Sequence, residues 1–398
     1  MSQGLVANAR SDRRPLADAD RQDPINLDYN ATTPLAPEVV AAMQPFLHEE
    51  FGNPSSSHGR GACARQAVAM ARAAVAALLG SSPEEIIFTG SATEANNLAL
   101  LGMARALPEK RHILISAIEH PAVMEPARHL GTLGWKVTVL AVDSTGRVDP
   151  STVADALRPD TALVSIMQAN NEVGTLQPIA EIAALVHAHG SLMHTDAAQA
   201  AGKIPVDVTR LDVDLLTLAG HKFYAPKGIG ALFVRTGTPI RPIMFGGNQE
   251  RGLRPGTENV PYLVALGTAA NLARERLPVL GARLARQRDR LHHLLDLAIP
   301  GLKLNGHPKQ RLPNTLHLSF PGVTGHALLA GTPSIAASLG SACHAGGAVS
   351  SGVLGAMGLD QDRAVGAIRL SLGAGTRDDE IEVAAAALST TWRRLVHG

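Results

Sequence analysis

The sequence predicts an α/β protein whose mostly parallel sheet is covered by helices on both faces, followed by a smaller α+β domain. Short apolar segments typical of buried strands alternate with helical segments from about residue 84 to residue 235. Polar residues directly follow several of these predicted strands. From about residue 262 the pattern changes to long amphipathic helices and then to a second group of strands. These three observations together define the predicted fold class.

Each predicted strand of the main sheet is a short apolar segment bounded by glycine or polar residues. The seven segments are 84–90, 112–117, 136–142, 161–167, 191–198, 214–220 and 229–235. Helices are predicted between them, and this βαβα order is typical of parallel strands buried on both faces. An alanine-rich helix before the first strand is expected to end at Gly80. The second group has predicted strands at 314–320, 334–340 and 367–373, a helix over 325–331 and a closing helix after Thr376.

The change of pattern near residues 265–275 predicts a domain boundary. We expect residues 32–268 to form the large domain, and residues 25–31 and 269–398 to form the small domain. Residues 1–24 lack the apolar core of a secretory signal and mix four Arg with four Asp. We expect them to be a mobile tail.

The composition excludes several classes of function. A formal net charge of +1 and only 3% aromatic residues provide neither the positive field nor the stacking surfaces of a nucleic-acid-binding protein. No run of 18 apolar residues occurs, so no transmembrane helix is expected. The two cysteines, Cys63 and Cys343, cannot form a disulfide framework, which predicts a reducing, cytoplasmic location. No metal site is predicted.

Asp196 and Lys222 stand at or just beyond the ends of two consecutive predicted strands. Side chains at the carboxyl ends of such strands share one crevice, so both residues should meet over a single ligand. A lysine in a partly desolvated pocket has a lowered pKa and can attack an aldehyde, and a carboxylate suits a protonated ring nitrogen. Pyridoxal phosphate needs this pair of residues. For the pair alone, a simple salt bridge is the commoner explanation.

Other polar residues strengthen the prediction of a site. The turn over 90–93 joins a strand to a helix and can receive an anion, although Ser and Thr there also act as ordinary helix caps. Polar candidates after the other strands are His120, Asn170, Asn171, Gln199 and His221. Because so many of these residues follow strand ends, they indicate a binding site rather than plain connections.

Cys343 lies in the segment 338–354, which is rich in Gly, Ala and Ser. Such a segment cannot bury enough apolar surface to be held rigid, and an accessible cysteine thiolate is reactive. An incidental free cysteine is the alternative. We favour a chemical role, because the composition around Cys343 is unsuited to packing.

Nine motifs occur in order over nearly the whole chain from about residue 25. Together they resemble the NifS/IscS-type cysteine desulfurases of the class-V aminotransferases, and the closely similar selenocysteine lyases. The motifs are DYNATTP, FGNPSS, FTGSATEANN, EHPAV, ANNEVG, HTDAAQ, GHKFYAPKGIGAL, FGGNQERGLRPGTEN and GSACH. The resemblance implies a fold-type-I pyridoxal phosphate enzyme and a homodimer in which both subunits contribute to each active site.

The resemblance also implies how the cofactor is held. Lys222 would bind it covalently as a Schiff base, Asp196 would pair with the pyridine nitrogen, and Gln199 would contact the phenolic oxygen. His120 would stack on the ring and transfer protons. The phosphate group would be held by Thr93, His221 and, from the second subunit, Thr257.

On the substrate side, the resemblance implies that Asn170 and Arg369 bind the carboxylate of L-cysteine, a role that suits the two-pronged guanidinium of arginine. Cys343 would attack the sulfur of the bound cysteine, which leaves a persulfide on the enzyme and releases alanine. The persulfide would then pass to a sulfur-acceptor protein. The acceptor itself is left open: an iron–sulfur scaffold, a tRNA thiolation protein, a DNA-modification protein or a biosynthetic carrier.

The chain departs from the family pattern at the phosphate site. Ala219 stands where many relatives have Ser, and FTGSATE replaces the more usual FTSGATE. L-selenocysteine is a possible substrate, but Pro121 follows the EH pair as in desulfurases, where animal selenocysteine lyases tend to have Asp. A desulfurase is therefore favoured over a lyase. Two other classes stay open: a pyridoxal phosphate enzyme that forms no persulfide, and a non-catalytic sulfur-relay or scaffold protein.

Overall fold

The structure is a computed structural model that describes residues 23–339 and 352–397. Its strands are β1 (Ile25–Asn26), β2 (Ile86–Thr89), β3 (His112–Ser116), β4 (Lys136–Leu140), β5 (Thr161–Ser165), β6 (Leu192–Asp196), β7 (Leu215–Ala219), β8 (Gly230–Val234), β9 (Lys303–Asn305), β10 (Thr315–Ser319), β11 (Ile335–Ala336) and β12 (Ala367–Ser371). Its helices are α1 (Pro37–His48), α2 (Gly59–Leu79), α3 (Ala92–Ala106), α4 (Pro121–Thr132), α5 (Pro150–Ala156), α6 (Ile179–Ala188), α7 (Val208–Leu211), α8 (Val260–Ala298), α9 (Gly325–Ala330), α10 (Gly352–Ala356), α11 (Gln361–Val365) and α12 (Asp378–His397).

The main sheet has seven strands in the order β2-β8-β7-β6-β5-β3-β4. Strand β8 runs antiparallel to both of its neighbours, and the other adjacent pairs are parallel. Every residue of β3, β5 and β7 is buried, because helices cover both faces of the sheet. The predicted mostly parallel seven-stranded sheet is confirmed.

Local signals at the ends of helices agree with the sequence. Helix α2 ends before Gly80, whose φ of 66° lies in the left-handed region that glycine adopts without steric cost. Ser91 caps α3 and His120 caps α4, each accepting a backbone N–H of the first turn. These two caps place the starts of α3 and α4 directly after β2 and β3, at the edge where the site is predicted.

A second sheet is formed by β12, β10 and β9, with β10 in the middle and antiparallel to both neighbours. The short strand β9 was not predicted, and the predicted strand at 334–340 is reduced to the two residues of β11, which pair with β1. Leu27 belongs to the hydrophobic cluster of this second unit. The grouping of residues 25–31 with the small domain stays a prediction, and this packing supports it.

Helix α8 connects the two hydrophobic clusters. Its first part, with Leu266 and Ala270, packs in the cluster beneath the main sheet, and Leu284 and Leu291 further along pack in the cluster of the second unit. The helix continues through Pro278 for 39 residues in all. The proposed domain boundary near residue 268 therefore falls within one helix.

Among the described residues, one helix has the length and composition of a membrane span. Helix α2 has 21 residues and a mean hydropathy of 1.3 over its most apolar part. The core helices of globular proteins can have the same length and composition, so these two properties alone do not identify a membrane span. One face of α2, with Val68 and Val75, packs in the cluster beneath the main sheet.

Candidate active site

Lys222 lies in a short 3-10 turn directly after β7. Its amino group donates hydrogen bonds to the backbone carbonyls of Asn30 (2.6 Å) and Ala31 (2.8 Å). Burial lowers the pKa of Lys222 to about 8, and the positive charge of Arg369 acts in the same direction, whereas Asp196 opposes the shift. An amine with this pKa is partly neutral near physiological pH, as a nucleophilic lysine requires.

Asp196 ends β6, the strand adjacent to β7, and is only 5% exposed. Its Oδ2 accepts a hydrogen bond from Asn96 Nδ2 at 2.7 Å, and its Oδ1 accepts one from the backbone N–H of Ala198 at 2.9 Å. Both carboxylate oxygens are therefore fixed by donors. Asn96 was not predicted as a site residue. The feature that could have indicated it is a polar amide among the apolar residues of α3 that face the sheet.

His120 caps α4, and its Nδ1 accepts the backbone N–H of Ala122 at 3.0 Å. Burial is the main cause that lowers the pKa of His120; Lys222 adds to it, while Asp196 and Glu172 oppose it. The ring is therefore neutral at pH 7, and since Nδ1 is an acceptor, Nε2 carries the proton. The charges of Lys222 and Asp196 thus both act on the His120 ring.

Glu119 precedes His120 and is a buried acid that sequence reasoning did not assign. Its Oε1 accepts hydrogen bonds from Ser116 Oγ (2.6 Å) and from the backbone N–H of Met167 (2.8 Å). Burial raises the pKa of Glu119 to about 8, so the carboxyl group is mostly protonated at neutral pH. It joins the ends of β3 and β5 and thereby supports the turn that carries His120.

The anion site is predicted at the start of α3. Ser91 Oγ accepts the backbone N–H of Glu94 at 3.1 Å, and Thr93 is exposed on the first turn. The carboxylate of Glu94 in turn binds Arg254 Nε at 2.9 Å. This ion pair brings the glycine-rich loop of Thr257 toward the same helix end. Within the described residues, the exposed Thr257 side chain makes no hydrogen bond.

His221 lies next to Lys222 in the same turn. Its Nδ1 lies 3.2 Å from Thr32 Oγ1. Burial, followed by the charges of Lys222 and Lys227, lowers the pKa of His221 to about 4. The imidazole is therefore neutral at pH 7, and any contact it makes with a phosphate group is a hydrogen bond between a neutral donor and an anion.

Gln199 is 5% exposed and connects the turn after β6 to Lys222. Its Nε2 donates to the carbonyl of Asn30 at 3.0 Å, the same oxygen that accepts from Lys222. Its Oε1 accepts from the amino group of Lys203. The structure thus brings Gln199 and Lys222 together through a shared acceptor.

Arg369 reaches the site from β12 of the second sheet and is 5% exposed. One guanidinium nitrogen, Nη2, forms an ion pair with Asp28 Oδ1 at 2.7 Å, and Nη1 donates to the carbonyl of Asn171 at 2.9 Å. Its buried Nε has no hydrogen-bond partner among the described residues. The guanidinium therefore lies near Lys222 and keeps a donor that a ligand could use.

The structure does not favour the predicted role of Asn170 as a carboxylate ligand. The residue is fully buried, and its Oδ1 accepts the backbone N–H groups of Glu172 (2.9 Å) and Val173 (3.0 Å). Its Nδ2 donates to the carbonyl of Ile118 at 3.2 Å. The side chain is thus used to close its own turn. The neighbouring Asn171 is half-buried, and its backbone carbonyl accepts a hydrogen bond from Arg369. The assignment of Asn170 to the substrate carboxylate stays a prediction.

Cys343 lies in the segment 340–351, outside the described residues. The residues that flank this segment are close to the site. Before it, the backbone of Ser338 pairs with that of Arg369. After it, α10 packs in a small cluster with Ile118 and Met167, next to the turn of His120.

Comparison with known proteins identifies the family. A model of the class-V aminotransferase family matches residues 25–383. The chain belongs to this family. Cysteine desulfurase 2 of Trichormus variabilis is 48% identical over 360 residues, which are 90% of each chain, and cysteine desulfurase IscS of Dictyoglomus turgidum is 44% identical over 360 residues, 90% of this chain and 91% of that one. Among solved structures, a NifS-like protein has a TM-score of 0.86 and 39% identity, covering 92% of this chain and 98% of its own.

These similarities confirm the predicted family, the fold type and the class of enzyme, which is pyridoxal phosphate-dependent and of the cysteine desulfurase kind. They give less support to a selenocysteine lyase. The residues of this class-V aminotransferase also fit the cofactor: an amine of lowered pKa in Lys222, a buried carboxylate in Asp196, and the start of a 15-residue helix for the phosphate. Over residues 23–339 and 352–397, no group of His, Cys, Asp and Glu side chains could hold a metal ion.

Proposed function

We propose that this class-V aminotransferase is a cysteine desulfurase that converts L-cysteine to L-alanine and leaves the sulfur as a persulfide on Cys343. The observation that carries the proposal is the placement of Lys222 and Asp196 at the ends of adjacent strands, with the pKa of Lys222 lowered to about 8. The names of the relatives, which are 44–48% identical, support L-cysteine as the substrate.

The chemistry divides between the cofactor and the chain. Pyridoxal phosphate, when bound, supplies the electron sink that lets bonds at the substrate carbons break. Lys222 would hold the cofactor, Asp196 would pair with its ring nitrogen, Gln199 would contact its phenolic oxygen, and His120 would move protons. The phosphate group is held at the start of α3 by the residues Thr93, His221 and, from the second subunit, Thr257.

The chain binds the substrate carboxylate through Arg369, with Asn170 as the predicted second ligand. The Cys343 thiolate then attacks the substrate sulfur. A sulfur–sulfur bond forms, the carbon–sulfur bond breaks, and its electron pair stays with the carbon that becomes the methyl group of alanine. The persulfide passes to an acceptor protein. We further propose that the enzyme is a cytoplasmic homodimer, in which the exposed Thr257 would reach the site of the second subunit.

Alanine release from L-cysteine and from L-selenocysteine, measured with a thiol reductant, tests this proposal. We expect the parent protein to use both substrates, and Cys343→Ala to lose only the reaction with L-cysteine. Lys222→Ala should lose both by about a thousandfold or more. Cys63→Ala and Lys227→Ala are the matched controls and should keep the parent rates.

Two results would overturn the proposal. If L-selenocysteine alone is used, with or without Cys343, the protein is a selenocysteine lyase. If the cofactor-loaded protein releases alanine from neither substrate, the fold supports a different pyridoxal phosphate reaction.

A further inference from the structure

Lys203 is a buried lysine that the proposed chemistry leaves without a role. It is 7% exposed, in the turn that follows β6 and Gln199. This turn is pressed against the turn of Lys222: a Cβ at Gly202 would lie only 2.8 Å from Phe223 Cβ, and Gly202 has a φ of 74°. Only glycine suits both conditions. Lys203 is therefore held close to Lys222 by the fold.

The surroundings of Lys203 give no ordinary structural reason for a buried cation. Lysine is rarely buried without a charged partner. Within the described residues, Lys203 forms no ion pair, and its side chain makes one hydrogen bond, to Gln199 Oε1. Burial lowers the pKa of Lys203 well below its usual value, and the nearby charges of Lys222 and Arg369 lower it further. Burying the Lys203 amino group in this environment costs free energy. Its one hydrogen bond, to Gln199 Oε1, is the contact that could offset this cost.

That contact and the carbonyl of Asn30 together fix which way the Gln199 amide faces. The carbonyl of Asn30 can only accept a hydrogen bond, so the group that faces it at 3.0 Å must be Nε2. Oε1 then faces the amino group of Lys203. Without Lys203, Oε1 would be buried and unpaired, which costs about 1–3 kcal/mol, and the hydrogen bond to the carbonyl of Asn30 would be the one remaining described contact that holds the amide in this orientation.

We propose that Lys203 is a positioning residue, whose hydrogen bond to Gln199 Oε1 holds Nε2 ready to donate to the phenolic oxygen of bound pyridoxal phosphate. The inference rests on the proposed function for the identity of the cofactor. It assigns to Lys203 a role through Gln199, with no contact of its own to the substrate.

The test measures binding of pyridoxal phosphate to the cofactor-free protein, together with the visible absorption of the loaded protein as a function of pH. Lys203→Met keeps the length of the side chain and removes the donor. We expect it to weaken cofactor binding about tenfold, the equivalent of one hydrogen bond of about 1.4 kcal/mol, and to shift the pH midpoint of the absorption. Lys203→Gln restores a neutral donor and should stay within about threefold of the parent. Lys303→Met, at the exposed first residue of β9, should change nothing.

A double-mutant cycle separates positioning from packing. In a Gln199→Ala background, Lys203→Met should have no further effect on either measurement, because its target is gone. Equal losses for Lys203→Met and Lys203→Gln, or losses that add to that of Gln199→Ala, would overturn the proposal. So would an unchanged affinity in Lys203→Met. Thermal unfolding of each variant identifies a folding defect. If Lys203→Met has such a defect, the cofactor affinity of Lys203→Gln tests the proposal instead. None of these measurements requires turnover of cysteine. The role of Lys203 can therefore fail its test while the proposed function stands, and the proposed function can fail while the role of Lys203 stands.

Discussion

The cofactor side and the substrate side of the candidate site are built in different ways. On the cofactor side, Asp196 and Lys222 follow two adjacent strands of one sheet. On the substrate side, Arg369 comes from the second sheet and meets Asp28, which lies 341 positions away in the sequence. Local chain geometry places the first pair, whereas packing between distant segments creates the second.

Asp196 and Arg369 also differ in how completely their polar atoms are satisfied. Both oxygens of Asp196 accept hydrogen bonds from the protein. The buried Nε of Arg369 has no partner among the described residues. An unpaired buried donor costs about 1–3 kcal/mol, and a ligand that accepts from it removes that cost. The contrast concerns Asp196 and Arg369 alone, because Asn96 Oδ1 and Glu119 Oε2 on the cofactor side are also buried without a partner among the described residues.

The largest effect that separates the two sides is expected from Arg369→Lys. Lysine keeps the charge but loses the two-pronged guanidinium, so we expect the KM for L-cysteine to rise about 10–100-fold. The affinity of the cofactor-free protein for pyridoxal phosphate should stay within about twofold. Steady-state kinetics and cofactor titration measure the two quantities. Arg290→Lys, in an exposed pair with Glu382, is the control. If cofactor affinity falls as far as KM rises, the two sides do not act separately.

An intermediate effect is expected at Glu119, on the cofactor side. Its pKa is about 8 in the folded protein, against 4.5 for the free group. The folded state therefore holds the proton more tightly, and the stabilising contribution is complete below pH 4.5 and is lost as the pH rises to about 8. Glu119→Gln does not titrate, so its stability relative to the parent should increase over this range.

Urea unfolding of the cofactor-free protein at several pH values, at one protein concentration, measures this difference. Glu125→Gln is the control, because Glu125 is exposed and pairs with Arg128 on the surface; its difference from the parent should not follow the same pH range. A Glu119→Gln curve that runs parallel to the parent curve would show that Glu119 is ionised when folded.

The smallest effect is expected from Tyr224→Phe, at the junction of the two sides. Tyr224 follows the turn of Lys222, and its hydroxyl accepts the backbone N–H of Ala374, beyond β12, at 2.7 Å. Its φ of 72° strains either side chain equally, so only the hydrogen bond changes. We expect a loss of about 1 kcal/mol in unfolding free energy, and Tyr262→Phe should lose less. A fall in turnover without a loss of stability would place the hydroxyl in the chemistry itself.

The cofactor side was the more predictable half. The strands before Asp196 and Lys222 were apparent from short apolar segments, and both residues lie close together at their ends. The supporting contacts of Asn96, Glu119 and Lys203 were not assigned, although all three belong to or adjoin recognised motifs. Their roles depend on which atoms they face after packing, and a linear pattern does not contain that information.

The substrate side was less predictable for the same reason. Asn170 and Asn171 are adjacent and chemically identical, so only the turn that buries one and leaves the other beside Arg369 distinguishes them. The predicted strand at 334–340 proved mostly irregular, because its pairing depends on β1 from the other end of the chain.

The sequence by itself determined the alternation of strands and helices, the seven strands of the main sheet, and the positions of Asp196 and Lys222 at its edge. These features follow from which residues, over a few consecutive positions, become buried away from water when the chain folds. The tertiary structure alone decided that α8 serves two hydrophobic clusters, that Arg369 pairs with Asp28, and that Glu119 and Lys203 are buried with shifted pKa values. Such features depend on contacts and desolvation between distant segments, which exist only after the chain has packed.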